Sequence, residues 1–535
     1  MSAPEARGAG RSVSRRQLLG GIGALGLAGV AGAALPRRAS AATGVAEQSA
    51  TGQPVIIIGS GYAGAVAALR LSQAGIKNIV LERGRRWPIT AAGDTFATPV
   101  APDGRAAWLS TRSPFTPTPL NVYVGVLEAF ATSSVTALAG AGVGGGSLVN
   151  NAVMLQPDQT RFAQSFGSSL SYDEMATVWY PRARQLIGVS AMPDSVYNSP
   201  DYLAARTWFA QAQAAGFHPQ RCDMAIDWQT VLAEEAGTAV ASAILGYSIW
   251  GMNSGAKRSV DRTILAAAEA TGHTTVRTLR RVVDLVTKPN GYQVVCEHID
   301  ETGAVLEIQR YTARHVFLAA GSLGTSRLLV RAKARGSLPD LPARIGTGWG
   351  TNGDVTTIRY GMPDDNASHG GPSGIILQDF SDPNQPVTML NFPAHPTSGG
   401  GLAELGVTLV PPLGTFAYDS ASDKVGLSWP SSDPLVLAAD QAITASVDKL
   451  NAANPGTYTA VTSAATTSHA VGGVGLDALD PMDGSLLGYP NLRVIDSSLL
   501  PGSTGAVPPA LTVTALADRM VSLALPAVVA SHRRS

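Results

Sequence analysis

Pro54-Val55-Ile56-Ile57-Ile58-Gly59-Ser60-Gly61-Tyr62-Ala63-Gly64-Ala65-Val66-Ala67-Ala68-Leu69-Arg70-Leu71 is the stretch that decides the fold. A β-branched run, then G-x-G-x-x-G, then small and apolar residues at helical spacing predict a strand, a tight turn and a helix. Gly59 allows the turn, Gly61 lets the backbone approach a pyrophosphate, and Gly64 lets the helix pack close to the strand. The helix start offers free N–H groups and a partial positive charge to the phosphates. Gly75 reads as the helix stop. Ile79-Val80-Leu81 then forms a second strand ending at Glu82, near the ~20-residue offset at which an acid binds a ribose hydroxyl. Together these residues predict a dinucleotide site in an α/β domain.

Three later segments extend the pattern. Gly140-Ala141-Gly142-Val143-Gly144-Gly145-Gly146-Ser147-Leu148-Val149-Asn150-Asn151 carries more glycine than a regular element tolerates, which predicts backbone pressed against something flat. Val316 to Thr325 repeats strand, turn and helix. Leu492 to Ala517 does so again, aiming a helix dipole back at the cofactor. The 535 residues exceed what one core supports, so two to four domains are expected. Only Cys222 and Cys296 are cysteines, which excludes a disulfide scaffold and a Cys-rich metal site; two free thiols are expected. No Cys/His metal spacing and no nucleophile elbow occurs, so no metal is expected. Trp87, Trp208, Trp228, Trp250 and Trp349 are scattered, as core or chamber-wall residues are.

Residues 1–42 read as a twin-arginine export signal: a basic start, Ser14-Arg15-Arg16-Gln17-Leu18-Leu19, an apolar stretch over Leu18–Ala34, and small residues before a cleavage site. The apolar stretch falls short of the roughly 20 residues a membrane span needs. The mature protein is expected to be secreted, either extracellular or wall-associated. The whole chain balances 39 basic against 39 acidic residues. The leader holds six of those arginines and one acid, leaving 33 against 38 and a net charge of −5. That excludes a basic footprint for nucleic acid.

These pieces, in this order, resemble the glucose-methanol-choline (GMC) flavin oxidoreductases, and among them the cholesterol oxidase type that holds FAD without a covalent bond. The carriers are Ile58–Arg70, Glu82, Tyr123–Leu127, Gly142–Asn150, Lys257–Thr263, Ala320–Ala332, Gly348–Gly353, Gly414–Phe416 and Gly472–Asp518. The resemblance implies an α/β fold with a discontinuous Rossmann-like FAD-binding domain over 50–90, 123–157, 255–345 and 465–535. A substrate domain over 160–250 and 346–460 would contribute a mixed β-sheet covered by helices. It implies FAD with its adenosine at Glu82, Tyr62 and Ala63 at the pyrophosphate turn, and Val276 near the adenine. Gly146, Asn150 and Val153 would border the isoalloxazine, and Asp496 and Ser497 would close the site. The expected partners are a lipophilic small-molecule substrate and O2, with at most transient membrane-surface contact, and the protein is expected to be a monomer.

Alcohol oxidation by a flavin sends a hydride to N5 while a proton leaves oxygen, and a histidine can take that proton near neutral pH. Of the eight histidines, His469 in Ser468-His469-Ala470-Val471-Gly472-Gly473 matches the family's active-site histidine. The family's substrate-domain glutamate has no counterpart in Val387–Pro396, where Leu390 or Asn391 takes its place. An amide is no base, so steroid isomerase activity should be weak or absent. Pro508 stands near the family's flavin-side asparagine and offers no side-chain donor. Asn391 and His395 remain candidate substitutes. The expected activity is oxidation of a sterol or similar lipophilic alcohol to a ketone. The alternatives are a tailoring enzyme for a non-sterol secondary metabolite and a non-catalytic FAD-bound binding protein.

Overall fold

A computed structural model describes residues 46–116, 118–363, 369–393, 401–463 and 465–533. The leader and His395 lie outside the described residues. The chain enters on strand β1 (Ala46–Ile58), turns into helix α1 (Tyr62–Gln73) and returns on β2 (Asn78–Leu81). A hairpin follows, β3 (Leu127–Ala131) and β4 (Thr136–Gly140), then a short strand, β5 (Gln220–Arg221), beyond helix α2 (Leu203–Ala214). The sheet begun by β1 and β2 resumes with β6 (Thr274–Arg277), β7 (Arg280–Lys288), β8 (Gly291–Ile299) and β9 (Val305–Leu318), which feeds α3 (Gly321–Ala334). Next come β10 (Val355–Tyr360), β11 (Ile375–Asp379), β12 (Val387–Pro393) and β13 (Leu402–Val407), helix α4 (Pro434–Ala453) and β14 (Tyr458–Ser463). β15 (Thr466–Thr467), β16 (Ser485–Leu486), β17 (Tyr489–Val494) and helix α5 (Ala510–His532) close the chain.

The larger sheet runs β16-β17-β9-β1-β2-β6, with the meander β7-β8 attached to β9. Its centre is parallel: Val55 pairs with His315 and Ile58 with Leu318, while Ile56 faces Ile79. Parallel strands are covered on both faces, which is why Val55, Ile56 and Ile57 are fully buried and apolar without alternation. The sequence places the start of this strand near Pro54. The structure carries it back to Ala46 along the long partner β9, with an irregularity between Ala50 and Gln53. Polar residues there show no alternation, so only the partner strand reveals the extension.

The smaller six-stranded sheet runs β14-β10-β13-β12-β11-β5, and every pairing in it is antiparallel. That corrects the mixed sheet expected for the substrate domain. β11 and β12 follow one another without a helical crossover, and neighbours joined that way pair antiparallel. One face lies under α2 and α4. There Arg359 Nε meets Glu404 Oε1 at 2.7 Å with both side chains at 0% exposure, and Trp208 Nε1 donates to the same oxygen.

Among the described residues one helix, α5, is long and apolar enough to cross a membrane. It packs on α1, and its buried Asp518 accepts from Arg70 Nε at 2.7 Å and lies 2.9 Å from Arg182. Both cysteines are free, and burial pushes each thiol up to about 12. The five tryptophans singled out above are all buried.

Candidate active site

The first turn is shaped by two different demands. Gly59 sits at φ +99°, and a Cβ there would lie 2.4 Å from the Ala319 carbonyl oxygen at the end of β9. A Cβ on Gly64 would meet the Gly59 carbonyl at 2.0 Å, so α1 lies as close as a glycine permits. Gly61 differs: the nearest atom to its Cβ is the Gly145 Cα at 3.8 Å, and Gly146 has nothing within 4 Å. Open space beside Gly61 and Gly146, in front of the uncapped start of α1, is what a pyrophosphate and a flat ring require.

The other expected cofactor residues stand as follows. Glu82 is buried, and its carboxylate accepts from the Ser60 hydroxyl at 2.6 Å, the Ser60 N–H at 3.1 Å and the Gly84 N–H at 2.9 Å. One lone-pair direction on Oε1 is left for a ribose hydroxyl. Val276 lies in β6 opposite Val80. Ala63 is buried in the first turn of α1, and Tyr62 accepts from Asn150 Nδ2 at 2.8 Å. Burial raises the Tyr62 phenol above its ordinary value, with the Asn150 bond opposing. Val153 is buried and bridges to Met224. Asp496 accepts from the Gly321 N–H at 2.9 Å and the Thr325 hydroxyl at 2.5 Å, and Ser497 Oγ accepts from the Ser322 N–H at 2.9 Å. These two residues therefore cap the N-terminus of α3. Burial raises the Asp496 carboxyl, against the hydrogen bonds it accepts.

Lys257 holds the glycine-rich loop. Its buried Nζ donates to the carbonyls of Leu148 at 3.0 Å, Asn150 at 2.6 Å and Ser248 at 2.5 Å. All three ammonium donors are used, so the loop bearing Gly146 and Asn150 is tied down from behind.

His469 follows β15, which pairs with β4 and so hangs on the same hairpin that leads into the glycine-rich loop. Its Nδ1 lies 2.8 Å from Asp354 Oδ1, with the histidine side chain 15% exposed and the aspartate at 0%. The second carboxylate oxygen accepts from the Ser468 N–H at 2.9 Å and the His469 N–H at 3.2 Å, and lies 2.9 Å from the Thr467 hydroxyl. Nε2 is left without a protein partner among the bonds described. Just before Asp354, Asn352 donates to the Val507 carbonyl at 2.9 Å and accepts from the Thr504 N–H at 2.8 Å. The segment leading to Pro508 is thus held from the side of β10.

Asp354 is the residue the sequence reading missed. The block Gly348–Gly353 was singled out and stops one position short of it. A carboxylate directly after the Asn352-Gly353 turn is the available signal, but nothing in the sequence brings it to His469.

Asn391 belongs elsewhere. It pairs across the sheet with Glu404, so both side chains share the face under α2 and α4, and its amide oxygen accepts from the Ser373 hydroxyl. A catalytic role for Asn391 is corrected on this ground. Strand alternation sends Leu390 to the opposite face, which carries Phe392, Ala403, Leu405 and Ile358. The sequence could not separate these neighbours because a one-residue shift exchanges the faces.

The GMC oxidoreductase model matches residues 54–337, more than half of the chain. The chain belongs to the GMC oxidoreductase family. Cholesterol oxidase of Mycobacterium tuberculosis is 27% identical over 88% of this chain and 90% of its own length. Cholesterol oxidase of Acinetobacter baumannii is 25% identical over 87% and 93%. The fold is shared with pyridoxine 4-oxidase from Mesorbium loti (17% identity, TM-score 0.58, 88% of this chain and 99% of that one). It is shared also with a fungal aryl-alcohol oxidase (14% identity, TM-score 0.61, 89% and 99%). This GMC oxidoreductase is an FAD-dependent enzyme that oxidises CH–OH groups of a small molecule. The open space at Gly61 and Gly146, the free lone pair of Glu82 and the loop anchored by Lys257 fit that cofactor.

Proposed function

We propose that the protein oxidises the hydroxyl of a sterol or similar lipophilic alcohol to a ketone, with His469 taking the hydroxyl proton and O2 as the final oxidant. One observation carries this reading: His469 is nearly buried, is held through Nδ1, and keeps Nε2 free on the segment that leads to the Asp496 cap of α3. The cholesterol oxidase relatives and the apolar sheet face of Leu390, Phe392, Ala403, Leu405 and Ile358 support the lipophilic substrate.

Bound FAD supplies the acceptor for the hydride that leaves the carbinol carbon. Gly61 and the start of α1 would bind its pyrophosphate, Glu82 its ribose, and the loop of Gly146 and Asn150 its ring. The chain's own work is to exclude water with apolar walls, to hold the hydroxyl at Nε2 and to accept its proton there. With Leu390 on the opposite face and Asn391 turned under the helices, the face away from the helices lacks the family's carboxylate. The double bond of a sterol substrate therefore stays in place. Export of the mature protein as a monomer through the twin-arginine route belongs to the same proposal.

Anaerobic mixing of the flavin-loaded protein with a panel of sterols and other lipophilic alcohols tests it. The flavin should bleach with at least one of them, the product should be an unisomerised ketone, and His469→Ala should slow bleaching by about 10²–10⁴-fold, as loss of a general base does. A flavin that no alcohol reduces, while some other substrate class turns over, would point to the tailoring alternative. Bound flavin that nothing reduces would point to a binding protein.

A further inference from the structure

We infer that Asp354 is a positioning residue that fixes His469 as the Nδ1–H tautomer and so leaves Nε2 as the basic nitrogen. This rests on the alcohol oxidation proposed above. The Asp354 carboxylate is at 0% side-chain exposure and its two oxygens have separate duties. Oδ2 takes the backbone N–H groups of Ser468 and His469 and faces the Thr467 hydroxyl; Oδ1 faces only the ring, at 2.8 Å. An ionised carboxylate can only accept, so the proton between Oδ1 and the ring sits on Nδ1 and the basic lone pair is on Nε2.

Thr467, Ser468 and His469 thus also hold the carboxylate, which stands directly before β10. During turnover the carbinol carbon loses a hydride and its electron pair to the bound flavin. The O–H bond breaks, its proton forms a bond to Nε2, and its electrons form the second bond of the ketone. Nδ1–H stays on the ring, and the resulting imidazolium is neutralised by the adjacent Asp354 carboxylate, which takes no proton itself. With O2 as the final oxidant, the two electrons, the hydride hydrogen and the proton taken up by Nε2 would leave together as hydrogen peroxide, which returns His469 to its neutral form.

Asp354→Asn makes the argument sharp. The backbone N–H groups of Ser468 and His469 require an oxygen at the Oδ2 position, so the amide NH2 must face Nδ1. Nδ1 then has to accept, the ring proton moves to Nε2, and the base is blocked in an unchanged shape. In the flavin-loaded protein labelled with [15N]histidine, and with the His469 signals assigned through His469→Gln, wild type should show His469 as the Nδ1–H tautomer and Asp354→Asn should show Nε2–H. With an alcohol that bleaches wild type, the same variant should lose about 10²–10⁴-fold in kcat with KM within about threefold, while Asp354→Glu, which keeps the charge, should recover part of that loss. Finding wild-type His469 as the Nε2–H tautomer would overturn the inference with no variant needed. So would an Asp354→Asn enzyme with wild-type kcat. The tautomer measurement needs no substrate, so failure to find any oxidised alcohol would remove the proposed function and leave this arrangement of His469 standing or falling on its own spectrum.

Discussion

Replacing Gly61 by alanine separates what the turn needs from what the cofactor needs. Gly61 has φ −71°, a value alanine adopts freely, and its Cβ would find only the Gly145 Cα, at an ordinary 3.8 Å. The apoprotein should therefore keep its stability or gain about 0.4–1 kcal/mol from a stiffer unfolded chain. The flavin should suffer. A methyl standing in the space beside the start of α1 forces the pyrophosphate away from the backbone N–H groups, and each charge-assisted hydrogen bond lost costs about 1.5–3 kcal/mol. One such bond is roughly a ten- to hundredfold weaker Kd. Gly59→Ala is the contrast. There alanine must adopt a left-handed conformation, at about 1–2 kcal/mol. Its Cβ must also displace the Ala319 carbonyl from 2.4 Å, an overpacking of about 1–3 kcal/mol. Calorimetry of the two apoproteins, with FAD titration followed by fluorescence quenching, reads both effects. Wild-type FAD affinity in Gly61→Ala would refute the placement of the pyrophosphate. An apoprotein destabilised as much as Gly59→Ala would show that the turn, and not the ligand, requires Gly61.

Two further perturbations concern the scaffold. Arg359→Met strands the Glu404 carboxylate at zero exposure and should cost about 3–5 kcal/mol in urea unfolding without changing FAD affinity. The double variant Arg359→Met/Glu404→Leu should recover most of that, and a double variant no more stable than the single one would refute the account. His315 bridges β9 to α5 through a 2.7 Å contact with Ser531 Oγ, and burial, then Arg493 and Arg314, lower its pKa to about 4. Below pH 6.5 the unfolded chain binds a proton here that the folded chain refuses until about pH 4. Stability should thus fall by up to roughly 3 kcal/mol on acidification through that window, and His315→Gln should flatten the dependence in unfolding curves at pH 7, 5 and 4.

The flavin side of the fold was legible because its signals are local. Val55–Ile58, Gly59, Gly61 and Gly64 lie within one strand-turn-helix, and burial on both faces leaves Val55–Ile58 without polar interruptions. The same holds for Glu82 at the end of β2. The surroundings of His469 were legible only in part. His469 is marked by the glycines after it, but its partner Asp354 lies in a different segment and meets it only because β15 lies across β4, next to the loop of Asn352. Asn391 was misplaced for a different reason: one residue of register decides between the helix-covered face and the opposite one, and the mostly apolar Val387-Thr388-Met389-Leu390 does not declare which.

The parallel pairing of β1 with β9, and of β9 with β17, has a consequence for how the protein is made. Val55 leaves the ribosome long before His315, its neighbour in the sheet, and the cap of α3 waits for Asp496. Until β9 has emerged, the apolar run Val55–Ile58 has one edge without a partner, a state open to aggregation and to chaperones that hold such edges. Colour should therefore arrive late and all at once. Chains cut short before Asp496 should emerge colourless even though every glycine of the first turn is already in place.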